Sequence, residues 1–74
     1  MSAVTLKRLD PAKRISRFYL LAVQPDLFGE WCLIREWGHT GRPGQARMIT
    51  YPTQAQAEAA FTHHRKRKER RGYR

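Results

Sequence analysis

Between Glu30 and His39, Trp31, Leu33, Arg35 and Trp37 alternate with Cys32, Ile34 and Glu36. A period of two is that of an extended strand, so both tryptophans fall on one face and Cys32, Ile34 and Glu36 on the other. Ile15 to Gln24 follows the same rule, with Phe18, Leu20 and Ala22 on one face and Tyr19, Leu21 and Val23 on the other. Because both sets are apolar, this segment reads as a central strand covered, at least in part, on each side. Gln45 to Tyr51 alternates Ala46, Met48 and Thr50 with Arg47, Ile49 and Tyr51, and Val4 to Leu9 forms a short strand or an N-terminal arm closed by Asp10-Pro11. Pro25-Asp26-Leu27-Phe28-Gly29 and Thr40 to Gly44 carry the residues that reverse a chain, so consecutive strands meet as an antiparallel meander.

After Tyr51 the period changes. Thr53-Gln54-Ala55-Gln56 has the Thr-x-x-Gln form of a capping box. Ala57, Ala60, Phe61, His64, Lys68 and Arg71 then share one stripe at three- and four-residue spacing, and Gly72 suits the left-handed residue that ends a helix. Only the first half of the stripe is apolar; beyond Phe61 the helix reaches the sheet through His64, the Lys68 stem and Tyr73. The expected fold is α+β: a three- to four-stranded antiparallel meander with one C-terminal helix packed on it. Residues 1–74 make a single domain, with an arm or short strand over 1–14, strands over 15–51 and a helix over 53–72.

Charge narrows the function. With 15 Lys and Arg against 6 Asp and Glu the formal charge is +9, which favours a polyanionic partner: nucleic acid, an acidic protein surface or an anionic membrane. Ten residues, Arg65 to Arg74, hold seven of the cations and one acid, Glu69. Cations at a helix C-terminus stabilise the helix dipole without any ligand, but one or two suffice for that. The excess repels itself, and a bound polyanion relieves the repulsion. The second cluster is the glycine-rich turn, where Trp37, Gly38, His39 and Arg42 put an aromatic beside basic donors, with Arg35 and Arg47 on the adjoining strands. The candidate contact residues are therefore Trp37, Gly38, His39, Arg42, Arg35 and Arg47, together with Lys66, Lys68, Arg70 and Arg71 of the helix. Trp31, just after a turn, reads as packing.

Other classes find no support in the residues. The longest apolar run, Phe18 to Val23, falls far short of the roughly 20 residues that span a bilayer. The N-terminus lacks the apolar segment and cleavage site of a secretory signal. Cys32 is the sole cysteine, so no intrachain disulfide forms. The expected location is the cytoplasm, including the nucleoid. His63 and His64, adjacent on a helix, point about 100° apart and do not jointly clasp a metal. No nucleophile sits beside a recognisable base, so an enzyme is not expected, nor is any cofactor.

The run Asp26-Leu27-Phe28-Gly29-x-Trp31, then Arg35-Glu36-Trp37-Gly38, then Gly41-x-x-Gly44-Gln45, and finally Lys68-x-x-Arg71-Gly72-Tyr73 resembles the small stand-alone WGR-domain proteins of bacteria. The matches keep their order from about Phe18 to Tyr73. The resemblance implies a non-catalytic domain. In the related poly(ADP-ribose) polymerases the WGR domain meets DNA at strand breaks, and the motif's Trp and Arg lie against the nucleic acid. By that likeness Trp37 is a stacking contact and Lys68 matches a lysine near the end of the family helix. One departure is central: His39 stands where the name-giving motif has arginine. An imidazole, with a reference pKa of about 6.5, is mostly neutral at pH 7 and lacks the planar fork that grips phosphate. Arg42, three residues on, is the best substitute. The leading expectation is DNA binding at ends, breaks or duplex without strong sequence preference. The alternatives are an adaptor for an acidic protein and a binder of structured RNA. Nothing in the sequence sets the oligomeric state.

Overall fold

The computed structural model describes residues 2–74; Met1, the first residue of the expected arm, lies outside them. Four strands, β1 (Ala3–Asp10), β2 (Ile15–Pro25), β3 (Trp31–His39) and β4 (Gln45–Tyr51), pair in chain order as an antiparallel meander. One helix, α1 (Gln54–Arg70), crosses a single face of the sheet. Of the two expectations for the N-terminal segment the strand is the one that forms: β1 has eight residues, slightly more than Val4 to Leu9, and is paired along its length from Ala3–Ala22 to Asp10–Ile15.

Register explains which residues enter the core. Leu6 pairs with Tyr19 and Tyr19 with Trp37, while Val23 pairs with Leu33 and Leu33 with Ile49, so each row puts its side chains on the helix side. Leu6, Tyr19, Leu21, Val23 and Leu33 are buried there against Ala57, Phe61 and Tyr73, with Trp31 and Trp37 packed at the margins. Truncating one such side chain to alanine leaves a cavity and costs several kcal/mol, roughly 3–5 for Phe61.

The other face of β2 departs from expectation. Phe18, Leu20 and Ala22 are only half-buried, and no described element covers them. The apolar run in β2 predicted cover on both faces, whereas the chain supplies one helix, and a single helix shields one face only.

Both turns of the main hairpins are held by specific contacts. At the β2–β3 turn the Asp26 carboxylate accepts the amides of Phe28 at 2.8 Å and Glu30 at 2.9 Å, and Gly29 takes a φ of 82°. At the β3–β4 turn Gly41 also has a φ of 82°, but Gly38 and Gly44 are needed for a different reason: close approach. A β-carbon on Gly44 would lie 2.5 Å from the Trp37 carbonyl oxygen, and one on Gly38 2.9 Å from the Gly44 Cα. The two strands touch backbone to backbone at the hairpin base, with the Phe18 ring against both glycines.

The helix is capped at both ends. The Thr53 hydroxyl accepts the Gln56 amide at 3.2 Å, so the Thr53 half of the capping box forms. At the other end the Tyr73 amide donates to Lys68 carbonyl and the Gly72 amide to Glu69 carbonyl, the paired bonds of a Schellman turn, with Gly72 at φ 93°. That turn drives Tyr73 back into the core, and Arg74 then exchanges two backbone hydrogen bonds with Lys7, each 2.8 Å, on the outer edge of β1.

Replacing Gly44 with alanine forces the hairpin base apart and lowers stability by roughly 1–3 kcal/mol, the usual cost of overpacking. Urea denaturation reads this as a lower midpoint at unchanged slope.

Candidate nucleic-acid interface

The centre of the site is a stack on the helix side of the sheet. Tyr19 is fully buried, and its ring lies 6.3 Å from that of Trp37 at an interplanar angle of 26°. Tyr73, returned by the Schellman turn, meets Tyr19 edge-on at 6.1 Å. Two cations close over these rings. The Arg35 guanidinium lies 5.3 Å from the Trp37 centroid while its Nε donates to the Tyr19 hydroxyl at 2.7 Å; the Lys68 ammonium lies 4.5 Å from the Tyr19 centroid and 5.3 Å from that of Tyr73. Cation–π attraction of this kind is worth about 0.5–2 kcal/mol per pair, more as water is excluded. It fixes two positive charges that would otherwise spread into solvent.

Above the stack opens a cavity of about 360 Å³ between the β3–β4 turn and the end of α1, whose lining includes Arg17, Trp37, His39, Arg42, Lys68 and Tyr73. Gly38 and Gly44, at the hairpin base, also line it. A smaller recess of about 130 Å³ lies beside it, walled by Arg35, His64, Arg67, Lys68 and Arg71. On the far side of the turn a third recess is lined by Arg14, Ser16, His39, Thr40 and Arg42, so His39 and Arg42 stand between two of the three. No carboxylate lines any of these recesses. The turn is tied to β2 by the Ser16 hydroxyl, which donates to that of Thr40 at 2.9 Å, and by the Thr40 amide on the Ser16 carbonyl at 3.0 Å.

Burial, and after it the crowding of like charge, acts on two ionisable groups. The Lys68 ammonium is held below the ordinary lysine range by partial burial first, then by Arg71, Arg35, Arg67 and Arg17. His64 is likewise pushed below 6.5, by partial burial and then by Arg35, His63, Arg67 and Lys68. Among the described residues the ion pair present is Arg65 with Glu69, 3.8 Å apart and exposed, worth a few tenths of a kcal/mol. The repulsion around the recesses therefore stands uncompensated in the free protein.

The structure brings together most of the residues that the sequence nominated. Trp37, Gly38, His39, Arg42 and Lys68 line one cavity; Arg35 and Arg71 line the recess beside it; Arg47 pairs with Arg35 across β3 and β4 on the same face. Lys66 and Arg70 line none of the recesses: each is two residues from Lys68, hence about 160° around the helix on its outer side. Sequence reasoning missed Arg17, Arg14 and Tyr19. Arg17 shares the alternation that buries Tyr19 and Leu21, and that phase was the available signal. Arg14 offered none, since its role follows from a left-handed backbone at φ 54° after a short 3-10 turn over Pro11–Lys13. His63 and His64 sit with ring centroids 5.7 Å apart, and no set of three metal-ligating residues gathers among the described residues.

The fold is a four-stranded meander with one helix across it, and at one pole an aromatic hairpin faces the helix's basic end. The chain belongs to the WGR domain family, which it matches over residues 2–74. It is 36% identical over 69 residues to the uncharacterized protein y4dW of Sinorhizobium fredii, an alignment covering 93% of this chain and 34% of that protein. The chain thus spans about a third of the length of this relative. No solved structure matches it.

His64 yields a test of the charge crowding. Its folded-state pKa is depressed, so the unfolded chain takes up the proton first as pH falls. Its contribution to stability is complete above pH 6.5 and is lost as pH falls through the folded-state value. Urea titrations between about pH 8 and pH 5 should show a loss of stability on acidification that is smaller in His64→Gln, while NMR titration of the His64 ring gives a midpoint below 6.5.

Proposed function

We propose that this WGR domain binds nucleic acid, DNA in preference to RNA, through phosphate and sugar and without strong sequence preference. The observation that carries this reading is the cavity between the Trp37 turn and the end of α1. Cations from β2, the β3–β4 turn and the helix converge there beside an aromatic ring, and no acid answers them. Family membership supports nucleic acid in general. The choice of DNA, and of ends or breaks within it, rests on the likeness to the polymerase domains. The domain acts by binding rather than catalysis, in the cytoplasm at the nucleoid.

In this reading phosphates lie along Arg17, Arg42 and Lys68, and a base or sugar packs against the part of Trp37 that lines the cavity. Arg35 holds that ring from the side and adds its charge to the adjoining recess. Polyanion binding offsets the cation–cation repulsion that, after burial, depresses Lys68 and His64. His39, exposed between two recesses, is a weaker donor than the arginine of the family motif.

One observation favours a second reading, a protein-interaction module. Leu27 and Phe28 are 97% and 87% exposed on a turn that Asp26 holds rigid, at the opposite end of β3 from Trp37. Pull-down from nuclease-treated extract distinguishes the two: a partner retained, and lost with Phe28→Ser, supports the adaptor.

The DNA reading is tested by fluorescence anisotropy with labelled duplex. Affinity should fall steeply with salt, with a log–log slope of about −0.9 per phosphate neutralised. Trp37→Ala should weaken binding by roughly 1–3 kcal/mol where a base is stacked, and His39→Arg should tighten it. A flat salt response, or no binding at low salt, contradicts the proposal.

A further inference from the structure

Ser16 and Arg17 are neighbours in β2, so their side chains leave opposite faces of the sheet. Arg17 lines the cavity above Trp37, on the helix side. Ser16, in the phase of Phe18 and Leu20, lines an open recess of about 350 Å³ on the other face, together with Arg14, His39, Thr40 and Arg42. The β1–β2 turn holds Arg14 at that recess. The Asp10 carboxylate accepts the Lys13 amide at 3.3 Å and the Arg14 amide donates to the Pro11 carbonyl at 3.3 Å, which leaves Arg14 at φ 54°. Among the described residues it is the one non-glycine with a positive φ, and strained backbone of this kind clusters where a ligand is held.

The donor set narrows the ligand. The Ser16 hydroxyl donates to Thr40 Oγ1 at 2.9 Å and the Thr40 amide to the Ser16 carbonyl at 3.0 Å, so the Thr40 hydroxyl keeps its own proton for a further acceptor. Neither Arg14 nor Arg42 has an ion-pair partner among the described residues, and no carboxylate lines the recess. Two guanidinium forks and a hydroxyl, brought together from two separate turns, match the several oxygens of a tetrahedral anion better than the two coplanar oxygens of a carboxylate.

We propose that this recess is a second phosphate site, and that a nucleic acid seated in the Trp37 cavity carries one of its phosphates around the turn into it. The site stands without the nucleic-acid reading; only its occupant rests on that reading. His39 and Arg42 line both spaces, so bound phosphates lie on both faces of the sheet with the hairpin tip between them. A chain of phosphates occupies both spaces, whereas a mononucleotide fills one.

Inorganic phosphate tests the site in the absence of nucleic acid. At low ionic strength, an NMR titration should give saturable shifts at the Ser16 and Thr40 amides and at Arg14 Nε. Arg14→Gln should weaken this binding by about three- to tenfold, and Arg14→Lys, which keeps the charge and loses the fork, should fall between. Lys13→Gln removes the same charge one residue away, outside the recess, and should change it little. Thr40→Val, which leaves the Arg14 turn untouched, should weaken it as well. A linear response without saturation, an equal loss in Lys13→Gln, or acetate binding as tightly as phosphate overturns the site. With labelled duplex, Arg14→Gln should lower the log–log salt slope by about 0.9, the share of one phosphate. Duplex binding with an unchanged slope overturns the occupant and leaves the DNA reading standing. Saturation by phosphate with no binding of duplex upholds the site and overturns the nucleic-acid reading instead.

Discussion

The rest of the structure depends on the burial of one ring, Tyr19. It lies in the middle of the sheet and is enclosed: Leu6 and Trp37 flank it in the adjacent strands, Tyr73 meets its edge, and its hydroxyl takes a hydrogen bond from Arg35. A buried phenol with an unmet hydroxyl would cost about 1–3 kcal/mol, and Arg35 meets it with a charged donor. The same contact fixes Arg35 over Trp37, and the ring itself seats the Lys68 ammonium. Packing and charge placement are therefore the same set of contacts, so damage to the core of this domain is damage to the site.

A second constraint shapes the pole where the site lies. Gly38 and Gly44 let the β3 and β4 backbones touch, which narrows the hairpin and leaves room for a cavity between it and the helix. The Schellman turn at Gly72 completes the enclosure by sending Tyr73 inward and Arg74 onto the edge of β1. Three separated glycines thus set where the aromatic wall stands. Burial first, and the neighbouring cations after it, hold the pKa values of Lys68 and His64 below their ordinary ranges; a polyanion acts on the second of these causes.

Much of this was legible in the sequence, for physical reasons that also explain the rest. Period two placed Trp31, Leu33, Arg35 and Trp37 on one face, and the Thr53 cap and Gly72 located both ends of the helix. The apolar Phe18–Leu20–Ala22 set was correctly recognised as a face, but it is only half-buried and no described element lies across it, because alternation reports polarity and not how many elements remain to cover it. Arg17 shares the β2 phase that buries Tyr19 and Leu21, which gave its face, while the cross-strand register that sets it opposite His39 is not encoded by one strand alone. Lys66 and Arg70 were nominated for their charge, although a 100° step per residue already turned them outward.

The central claim is that the Trp37 turn and the inner side of the helix end form one polyanion site. Titrating labelled protein with blunt duplex, nicked duplex, single strand and hairpin RNA, while following the Trp37 indole and the Gly38, His39 and Gly41 amides by NMR, tests it most directly. The account predicts that a DNA duplex produces the largest shifts at these four residues and raises the midpoint of His64. Shifts confined to Lys66, Arg70 and the outer surface of the helix, with Trp37 unmoved, would contradict it.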